Sequence, residues 1–368
     1  MTTPIGVFGS RAGEEELEAL RGSVLDGWMG MGPRVREFEA RFAERLGVGF
    51  AMADSGSNAL HLAVTALGLP PASDVVVPTF TWVACANAVA LAGHTPVFAD
   101  VDLETASLST ETLAAALTER TAAVMVVHYG GRAVDVAAFD AFDLPVVEDA
   151  AHAVDSTRGE RACGTIGAAG VFSFDGVKNL ATPDGGGVAS PDDELLARIR
   201  RLRYCGVGGS GFERSARGGR WWEHDDVEVF PRAIPNDVSA SIAIAQLDRL
   251  AENQARRREI WQTYQEAFAG VEWLALPPDA ADGDRHSYFT YLVRVLDGRR
   301  DRLATELLAR GIYTTLRYQP LHLFFPGTAA RRLRHAELLN EQGLNLPLHP
   351  RLTDADVERI VDAVRSFS

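Results

Sequence analysis

The sequence contains a single lysine, Lys178, among 36 basic residues, and the other 35 are arginines. Arginine serves ion pairs and phosphate contacts as well as lysine does, or better. A guanidinium cannot lose its proton near neutral pH and attack a carbonyl carbon, whereas a lysine amine can do so and form a Schiff base. The count alone does not separate this role from the chance survival of one lysine, so the neighbouring residues decide.

Lys178 follows a short apolar strand pattern, Gly170–Ser173, and precedes a glycine-rich segment, Asp184-Gly185-Gly186-Gly187. A residue after a strand faces the crevice at the strand ends, where open α/β sheets bind ligands. The glycines allow the backbone to approach a ligand closely. This context predicts that Lys178 is the Schiff-base lysine of a pyridoxal phosphate (PLP) enzyme.

Two carboxylates, Glu148 and Asp149, end another apolar run, Val146-Val147. A PLP enzyme needs an acid against the pyridine nitrogen, because a protonated ring is the better electron sink. Side chains alternate along a strand, so only one of the two carboxylates can face the ligand. His152 follows closely and is a candidate partner of the ring hydroxyl. The alternative for either carboxylate is a helix cap.

The segment from Asp54 to His61 lies between a strand pattern and a helix pattern and is rich in small residues. Backbone N–H groups at a helix start bind phosphate, so Ser57 and Asn58 are phosphate candidates, with Ser173 as a second contact. A simple N-cap by Ser57 explains the same residues equally well. Trp82 could stack on the pyridine ring, although a lone tryptophan is more often part of the core.

Apolar strand patterns alternate with helix patterns over the first two-thirds of the chain, which is typical of an α/β domain. The predicted strands are Phe50–Ala53, Val75–Pro78, Pro96–Asp100, Ala122–His128, Pro145–Glu148, Gly170–Ser173 and Gly187–Ser190. The predicted helices are Glu14–Asp26, Arg34–Leu46, Ser57–Leu67, Trp82–Leu91, Thr110–Leu117 and Asp192–Tyr204.

The last third of the chain changes in character. Gly206–Ile234 is irregular, and a loop of this length in a compact domain is functional or disordered. One long helix over Ser239–Phe268 is expected to lead into a second unit, made of a strand and three helices: Tyr288–Leu296, Arg299–Arg310, Ala329–Glu341 and Asp354–Phe367. We therefore expect a large PLP-binding domain over residues 1–250 and a small α+β domain over residues 251–368.

Composition excludes several classes of protein. Hydrophobic residues make up 46% of the chain and charged residues 23%, the balance of a soluble globular protein. We expect no membrane span and no secretory signal, because long apolar runs are missing. Three widely spaced cysteines, Cys85, Cys163 and Cys205, form no metal or disulfide pattern, which favours the cytoplasm.

The formal net charge is −14, whereas a nucleic-acid binder normally has a basic excess. The densest basic cluster, Arg256-Arg257-Arg258, is expected to be a solvated helix face beside Glu252 and Glu259. An anionic substrate must then be held by locally placed arginines.

Taken together, these motifs resemble the DegT/StrS-type PLP-dependent sugar aminotransferases of fold type I, the aspartate aminotransferase-like class. The resemblance runs from about Glu14 to the end of the sequence. The matching segments are GWMGMGPRVREFEARFAERLG, SGSNALHLAV, VVVPTFTWVACANAVALAGHTPVFADVD, VVHYGGRAVDV, VVEDAAHA, FSFDGVKN with DGGG, PLHLFFP and LNLPLHPRLTDADV. The family fold implies a mostly parallel seven-stranded sheet between helices, followed by a smaller C-terminal α+β domain.

The resemblance also implies roles for individual residues. Lys178 would be the Schiff-base lysine and the catalytic base. The implied cofactor contacts are Asp149 at the pyridine nitrogen, His152 at the ring hydroxyl, Trp82 on the ring, and Ser57, Asn58 and Ser173 at the phosphate. A partner subunit would complete the phosphate site with Arg232, or with Asn236 if the register of that loop differs, which implies a homodimer with shared active sites.

Two positions depart from the family pattern. The usual histidine after the helix that follows the lysine is replaced by Cys205, and Asp184 stands where a glutamate is frequent. In the related 3-dehydratases a histidine replaces the lysine, so Lys178 favours transamination over dehydration.

The resulting expectation is transfer of an amino group, from L-glutamate by family resemblance, to a nucleotide-linked keto-deoxysugar in deoxyaminosugar and antibiotic biosynthesis. A keto-cyclitol substrate and a PLP-binding regulatory protein without turnover remain as alternatives. The candidate substrate contacts are His322, Tyr318 and Arg220, together with Trp221 and Trp222.

Overall fold

The computed structural model describes residues 3–208, 215, 220, 222–224, 227–327 and 331–367. Trp221 lies outside these residues. The helices are α1 Glu14–Leu25, α2 Pro33–Leu46, α3 Gly56–Ala66, α4 Ala84–Leu91, α5 Thr110–Ala114, α6 Asp193–Leu202, α7 Asp237–Asp248, α8 Leu250–Phe268, α9 Arg300–Ala309, α10 Arg334–Gln342 and α11 Asp354–Arg365. The strands are β1 Gly49–Ala53, β2 Asp74–Pro78, β3 Thr95–Ala99, β4 Thr121–Val127, β5 Val146–Asp149, β6 Thr157–Arg158, β7 Arg161–Ala162, β8 Ala169–Ser173, β9 Gly186–Ser190, β10 Leu274–Ala275, β11 Tyr291–Val295 and β12 Gly343–Leu346.

Seven strands form the main sheet in the order β1-β9-β8-β5-β4-β2-β3. Strand β9 runs antiparallel to both of its neighbours, and every other pair is parallel. Strands β2, β5, β8 and β9 are buried along their whole length, which explains why their sequences are mostly apolar, with the polar residues at the strand ends. The predicted fold class and all seven predicted strands are confirmed.

The long helix predicted over Ser239–Phe268 is wrong in one respect, because the structure divides it into α7 and α8 at Arg249. Arg249 has φ −97° and ψ 1°, outside the helical region. Its guanidinium lies 3.1 Å from the carboxylate of Glu16 on α1, which is nearly buried. This tertiary contact overrides a helical pattern that contains no glycine or proline.

A second, three-stranded antiparallel sheet, in the order β10-β11-β12, has an apolar cluster of its own. The cluster joins residues that are far apart in sequence, because Ile5 packs with side chains of α8, α9 and α11. The backbone of Ile5 bonds to Gly311 and Tyr313 at 2.8 and 2.9 Å. The domain boundary near residue 250 remains a prediction.

The expectation of a solvated arginine face on α8 is wrong for Arg257, whose side chain is only 1% exposed. Its guanidinium donates to the carbonyl oxygens of Tyr288, Phe289 and Leu348 at 3.4, 3.3 and 3.0 Å. Arg257 therefore connects α8 to the segments before β11 and after β12. The sequence did not indicate this structural role, because a charged residue is normally expected at the surface.

Within the described ranges, no helix combines the length and the apolar character needed to cross a membrane.

Candidate active site

The ends of several strands meet at one edge of the main sheet. Because β5 and β8 run parallel, Asp149 and Ser173 lie at the same edge, and Ser55 follows β1 there. A cavity of about 410 Å³ opens at this edge. Its lining includes Lys178, which follows β8, as expected for ligand sites of open α/β sheets.

The amine of Lys178 lies in this cavity, although the residue is only 9% exposed. Its Nζ is 4.9 Å from the centroid of the Phe289 ring. Burial lowers the pKa of Lys178 to about 8, the charge of Asp149 opposes this shift, and the charge of Arg317 adds to it. An amine with this pKa is partly neutral near pH 7, as a nucleophile and base requires.

Asp149 faces the cavity and has only two protein partners for its carboxylate in the described structure. Its Oδ2 accepts a hydrogen bond from the thiol of Cys85 at 3.1 Å, and its Oδ1 accepts one from the Ala151 N–H at 2.9 Å. Burial raises the pKa of Cys85 well above its usual range, and the Asp149 charge adds to the rise, so the thiol keeps its proton. Asp149 retains acceptor capacity toward the cavity.

Glu148 lies on the opposite side of β5 and is fully buried. Its carboxylate accepts from the N–H groups of Gly164, Ile166 and Gly167 at 2.8, 2.6 and 2.6 Å, and its Oε2 lies 2.9 Å from the Nε2 of His128. All its acceptor positions are used by the protein. Alternation along the strand thus leaves Asp149 as the carboxylate of this pair that lines the cavity.

His152 presents a defined hydrogen-bonding group to the cavity. Its Nδ1 accepts from the Gly130 N–H at 3.3 Å, so the neutral ring carries its proton on Nε2, 3.4 Å from the Tyr318 hydroxyl. Burial lowers the pKa of His152 well below its usual range, and the charges of Lys178 and Arg317 add to this effect. The imidazole is therefore a neutral donor, stacked on Phe289 with a centroid distance of 4.1 Å.

The N-terminus of α3 forms another wall of the cavity. The predicted alternative of an N-cap at Ser57 is wrong: the cap is Ser55, whose hydroxyl accepts from the Asn58 N–H at 3.2 Å. A Cβ on Gly56 would lie 2.6 Å from the Cβ of Ser173, so only glycine lets this helix start so close to β8. Ser55, Ser57 and Ser173 line the cavity here, and the first N–H groups of a helix have no acceptor within it.

The side chain of Asn58 points elsewhere. Its Nδ2 donates to both carboxylate oxygens of Asp54, at 2.8 and 3.1 Å. Asn58 is not among the residues that line the cavity, and its predicted phosphate contact remains a prediction.

Two aromatic residues line the mouth of the cavity. Trp82 is 54% exposed, which is unusual for tryptophan, and its ring lies 5.4 Å from that of Tyr318. Burial raises the pKa of Tyr318 to about 12, so its hydroxyl stays protonated at neutral pH. Both side chains line the same cavity as Lys178.

Other predicted contacts lie away from this cavity. His322 is buried against Thr79, with its Nδ1 2.8 Å from the threonine hydroxyl, and its Nε2 lies 3.5 Å from Glu337. Arg220 is exposed and forms an ion pair with Glu223 at 2.8 Å. Their predicted roles in substrate binding therefore remain predictions.

The two residues expected to reach a partner subunit also lie outside the cavity of a single chain. Arg232 is exposed and its backbone pairs with Tyr204, while Asn236 caps α7 by accepting from the Ser239 N–H at 2.8 Å. The Oδ1 of Asn236 is thereby occupied, whereas the Arg232 side chain makes no hydrogen bond or ion pair with the residues that the structure describes.

Sequence reasoning missed several residues that line or support the cavity, among them Ser55, Thr81, Cys85 and Arg317. Ser55 carried a usable signal, since an extended serine directly before a helix is a favoured N-cap. The positions of Cys85 and Arg317 depend on contacts between elements that are distant in sequence.

The site fits PLP on four structural observations. A buried amine of lowered pKa and a carboxylate with spare acceptor capacity share one cavity. A helix N-terminus with three serine hydroxyls is the chemistry that holds a phosphate. A neutral imidazole donor and an exposed tryptophan suit the edge and face of an aromatic ring. Among the described residues, no group of three or more His, Cys, Asp or Glu is arranged for a metal ion.

Comparison with known proteins agrees with this chemistry. Residues 10–365 match the DegT/DnrJ/EryC1/StrS aminotransferase family. The chain is 41% identical to a dTDP-4-dehydro-2,3,6-trideoxy-D-glucose 4-aminotransferase of Saccharopolyspora spinosa, over 95% of this chain and 93% of that protein.

Two solved structures extend the comparison to three dimensions. The aminotransferase TlmJ of Streptoalloteichus hindustanus superposes with a TM-score of 0.93 at 42% identity, over 99% of this chain and 98% of the other. Spr1654 of Streptococcus pneumoniae in its PLP-form has a TM-score of 0.89 at 25% identity, over 99% of this chain and 100% of the other. The chain belongs to the DegT/DnrJ/EryC1/StrS aminotransferase family and is a PLP-dependent aminotransferase.

Proposed function

We propose that this enzyme transfers an amino group from L-glutamate to the C4 ketone of a dTDP-linked deoxysugar. The observation that carries the transaminase chemistry is the buried Lys178 amine, with a pKa of about 8, in the same cavity as Asp149. The choice of sugar rests on the Saccharopolyspora spinosa relative, which is a dTDP-4-dehydro-2,3,6-trideoxy-D-glucose 4-aminotransferase. L-glutamate is the donor that the family resemblance implies.

The residues of the cavity divide the binding of PLP among them. Ser55, Ser57 and Ser173, with the first N–H groups of α3, would hold its phosphate. Asp149 would hold the proton of its pyridine nitrogen. When bound, PLP supplies an electron sink that stabilises negative charge at the substrate carbon next to the transferred nitrogen.

Lys178 moves the proton in both half-reactions. Its neutral Nζ takes a proton from the α-carbon of the amino donor, and in the second half-reaction it returns a proton to the former ketone carbon of the sugar. The pKa of about 8 suits both directions, because an amine poised near the working pH can accept and donate with similar ease. Ping-pong kinetics, with parallel lines in initial-velocity plots, are the expected signature.

His152 and Tyr318 place two uncharged hydrogen-bonding groups next to each other in the cavity. The Nε2–H of His152 can donate to an oxygen on the cofactor ring, and the protonated Tyr318 hydroxyl can accept from it or bind substrate. Trp82 would cover the ring face and exclude water, which strengthens the electrostatic interactions beneath it.

We also propose that the working enzyme is a homodimer in which Arg232 of one subunit completes the phosphate site of the other. Two exposed carboxylates, Asp175 and Asp184, line the cavity that also holds the three serines, and burial, with the charges of Asp175 and Asp54, raises the pKa of Asp184. A phosphate dianion here needs an added positive charge. The available guanidinium of Arg232 supports this arrangement.

Subunit complementation tests the shared site. Mixed dimers of K178A and R232A chains contain one site with both residues intact if Arg232 acts across the interface. Activity recovered on mixing two inactive variants would support the proposal. Arg232 acting within its own chain would leave every mixed site defective, and a fully active monomer would also contradict it.

A keto-cyclitol is the alternative acceptor, and the cavity residues do not separate it from a sugar nucleotide. A panel of dTDP-4-keto sugars and keto-cyclitols distinguishes the two acceptors by the ratio of their kcat/KM values.

We further propose that this is a cytoplasmic enzyme of a deoxyaminosugar pathway that serves antibiotic biosynthesis, because its substrates are soluble intracellular metabolites in this scheme.

The single lysine permits a direct chemical test of the site. The enzyme is incubated with PLP, one portion is reduced with borohydride before any amino acid is added, and the visible spectrum of a second portion is recorded before and after L-glutamate. We expect a visible band that L-glutamate bleaches and one pyridoxyl adduct on the peptide that contains Lys178. A protein with no band and no adduct would contradict both the cofactor assignment and the proposed mechanism.

A further inference from the structure

Arg317 supplies a second positive charge to the active-site cavity. Lys178 and Arg317 are the basic side chains, other than His152, among the described residues that line it. The acidic side chains there are Asp149, Asp175 and Asp184, so Lys178 and Arg317 are the cationic groups that a single chain offers to an anion in this cavity.

The guanidinium of Arg317 is held in place by aromatic rings and not by a carboxylate. Its central carbon lies 3.6 Å from the ring centroid of Phe8 and 5.8 Å from those of Phe289 and Tyr318. Such stacking uses the faces of a guanidinium and leaves its in-plane N–H groups free to donate. One of these groups, Nη1, lies 3.5 Å from the Tyr318 hydroxyl.

The backbone of Arg317 is fixed as well. Its N–H donates to the Asn345 side chain at 2.7 Å, and its carbonyl accepts a hydrogen bond from the Tyr129 hydroxyl. A rigid backbone and stacked rings reduce the entropy that the side chain would lose on binding a ligand.

Arg317 has no acidic partner within 4 Å in the part of the chain that the structure describes. Its charge acts inside the cavity instead, where it lowers the pKa of Lys178 and of His152. By contrast, the charges that act on Asp184, at the α3 side, are those of Asp175 and Asp54. Arg317 therefore serves the Lys178 and His152 side of the cavity and not the expected phosphate end.

We propose that Arg317 binds the carboxylate of the amino-acid donor. The inference rests on the proposed function, because a transaminase must admit two substrates in turn to the same lysine. The amino acid carries a carboxylate next to its reacting carbon, whereas the sugar carries neutral hydroxyl and ketone groups around its own. An unpaired planar guanidinium beside Lys178 matches the first substrate, since guanidinium and carboxylate form paired, parallel hydrogen bonds.

The test compares holoenzymes of wild type and R317Q in three measurements. The first is the concentration of L-glutamate that half-saturates bleaching of the visible band. The second is the equilibrium Kd of glutarate, a dicarboxylate without an amine, from calorimetry. The third is the KM of the sugar nucleotide.

We expect R317Q to raise the half-saturating L-glutamate concentration and the glutarate Kd about 10- to 100-fold, the range for losing a charge-assisted pair in a partly buried site. The KM of the sugar nucleotide should change less than about twofold, because neutral ring groups gain little from the charge. R317K, which keeps the charge but not the fork, should fall between wild type and R317Q.

R302Q is the matched control, because Arg302 also lies over an aromatic ring, 4.6 Å from the centroid of Phe367, but outside the cavity. It should leave all three measurements unchanged. F8L provides a second route: it removes the ring that holds the guanidinium while the charge remains, so glutarate should bind several-fold more weakly. Melting temperature and PLP content identify any variant that misfolds.

Unchanged glutarate and L-glutamate binding in a folded R317Q enzyme would overturn the proposal. So would a rise in the KM of the sugar nucleotide alone, which would assign Arg317 to the nucleotide diphosphate. Failure of the proposed function gives a different result: no amino acid would then bleach the visible band of the wild-type PLP complex. The glutarate affinities of wild type and R317Q would still show whether Arg317 binds a carboxylate.

Discussion

Glu148 and Asp149 are neighbours in the chain and end the same strand, yet their surroundings differ completely. On one side of the sheet, three backbone N–H groups and His128 surround the Glu148 carboxylate. On the other side, Asp149 has one thiol and one N–H as partners and lines a cavity. A carboxylate whose acceptor positions are all used by the protein stabilises the fold, whereas one with free acceptor positions can bind a ligand.

Replacement of Asp149 by alanine should give the largest loss of function and little loss of stability. We expect kcat to fall about 10²- to 10⁴-fold, because the pyridine proton loses its acceptor. The melting temperature of the apoenzyme should stay close to that of wild type. Steady-state kinetics with excess PLP and a thermal melt measure the two effects, and near-normal kcat in D149A would assign the role of Asp149 to another acid.

Replacement of Glu148 by alanine should produce the reverse pattern. It leaves His128 and three N–H groups without their acceptor inside the protein, and each unsatisfied buried donor costs about 1–3 kcal/mol in the free energy of unfolding. Urea denaturation of the apoenzyme measures this loss, with D149A as the control. Should E148A keep full stability but lose turnover per folded molecule, the contrast between the two carboxylates would be wrong.

Lys178, which lies on the same side of the sheet as Asp149, should titrate near neutral pH. Because burial lowers the pKa of Lys178 to about 8, the neutral amine increases as pH rises toward 8 and is nearly complete above it. The rate of PLP capture by apoenzyme should therefore rise about tenfold per pH unit well below pH 8 and then level off. Capture by n-butylamine is the control, since its rate keeps rising past pH 9. A protein profile parallel to that of butylamine would show an unshifted lysine.

The smallest effect concerns the thiol that supports Asp149. Removing the Cys85 hydrogen bond in C85A should weaken PLP binding by apoenzyme about 2- to 10-fold, the usual net value of one hydrogen bond. Cys163, also fully buried but remote from the cavity lining, is the matched control, and C163A should bind PLP as wild type does. Equal affinities in the two variants would leave Cys85 a packing residue.

The sequence was sufficient for the centre of the site. Lys178 stands out as a candidate because it is the one lysine of the sequence. That Glu148 and Asp149 face opposite sides follows from the two-residue period of a strand, which is a local property. The N-cap was misassigned by two residues, from Ser55 to Ser57, because both are serines near the start of α3 and the helix was predicted to begin at Ser57.

The residues that surround this centre could not be found in the same way. Cys85 on α4 reaches Asp149 at the end of β5, and Arg317 is positioned by the bridge between Thr315 and Asn345 and by the ring of Phe8. The break at Arg249 likewise depends on Glu16. These positions are set by contacts that span from 28 to more than 200 residues, which propensity and periodicity do not predict.

The position of residues 5–8 has a consequence for the order of events during synthesis. Ile5 is bonded to Gly311 and Tyr313, and Phe8 covers Arg317, so a segment made early in translation must wait for partners made near its end. The main sheet can assemble on the ribosome, since its strands lie between residues 49 and 190. The donor side of the active site cannot, and a nascent chain released early would carry the lysine without the closed pocket around it.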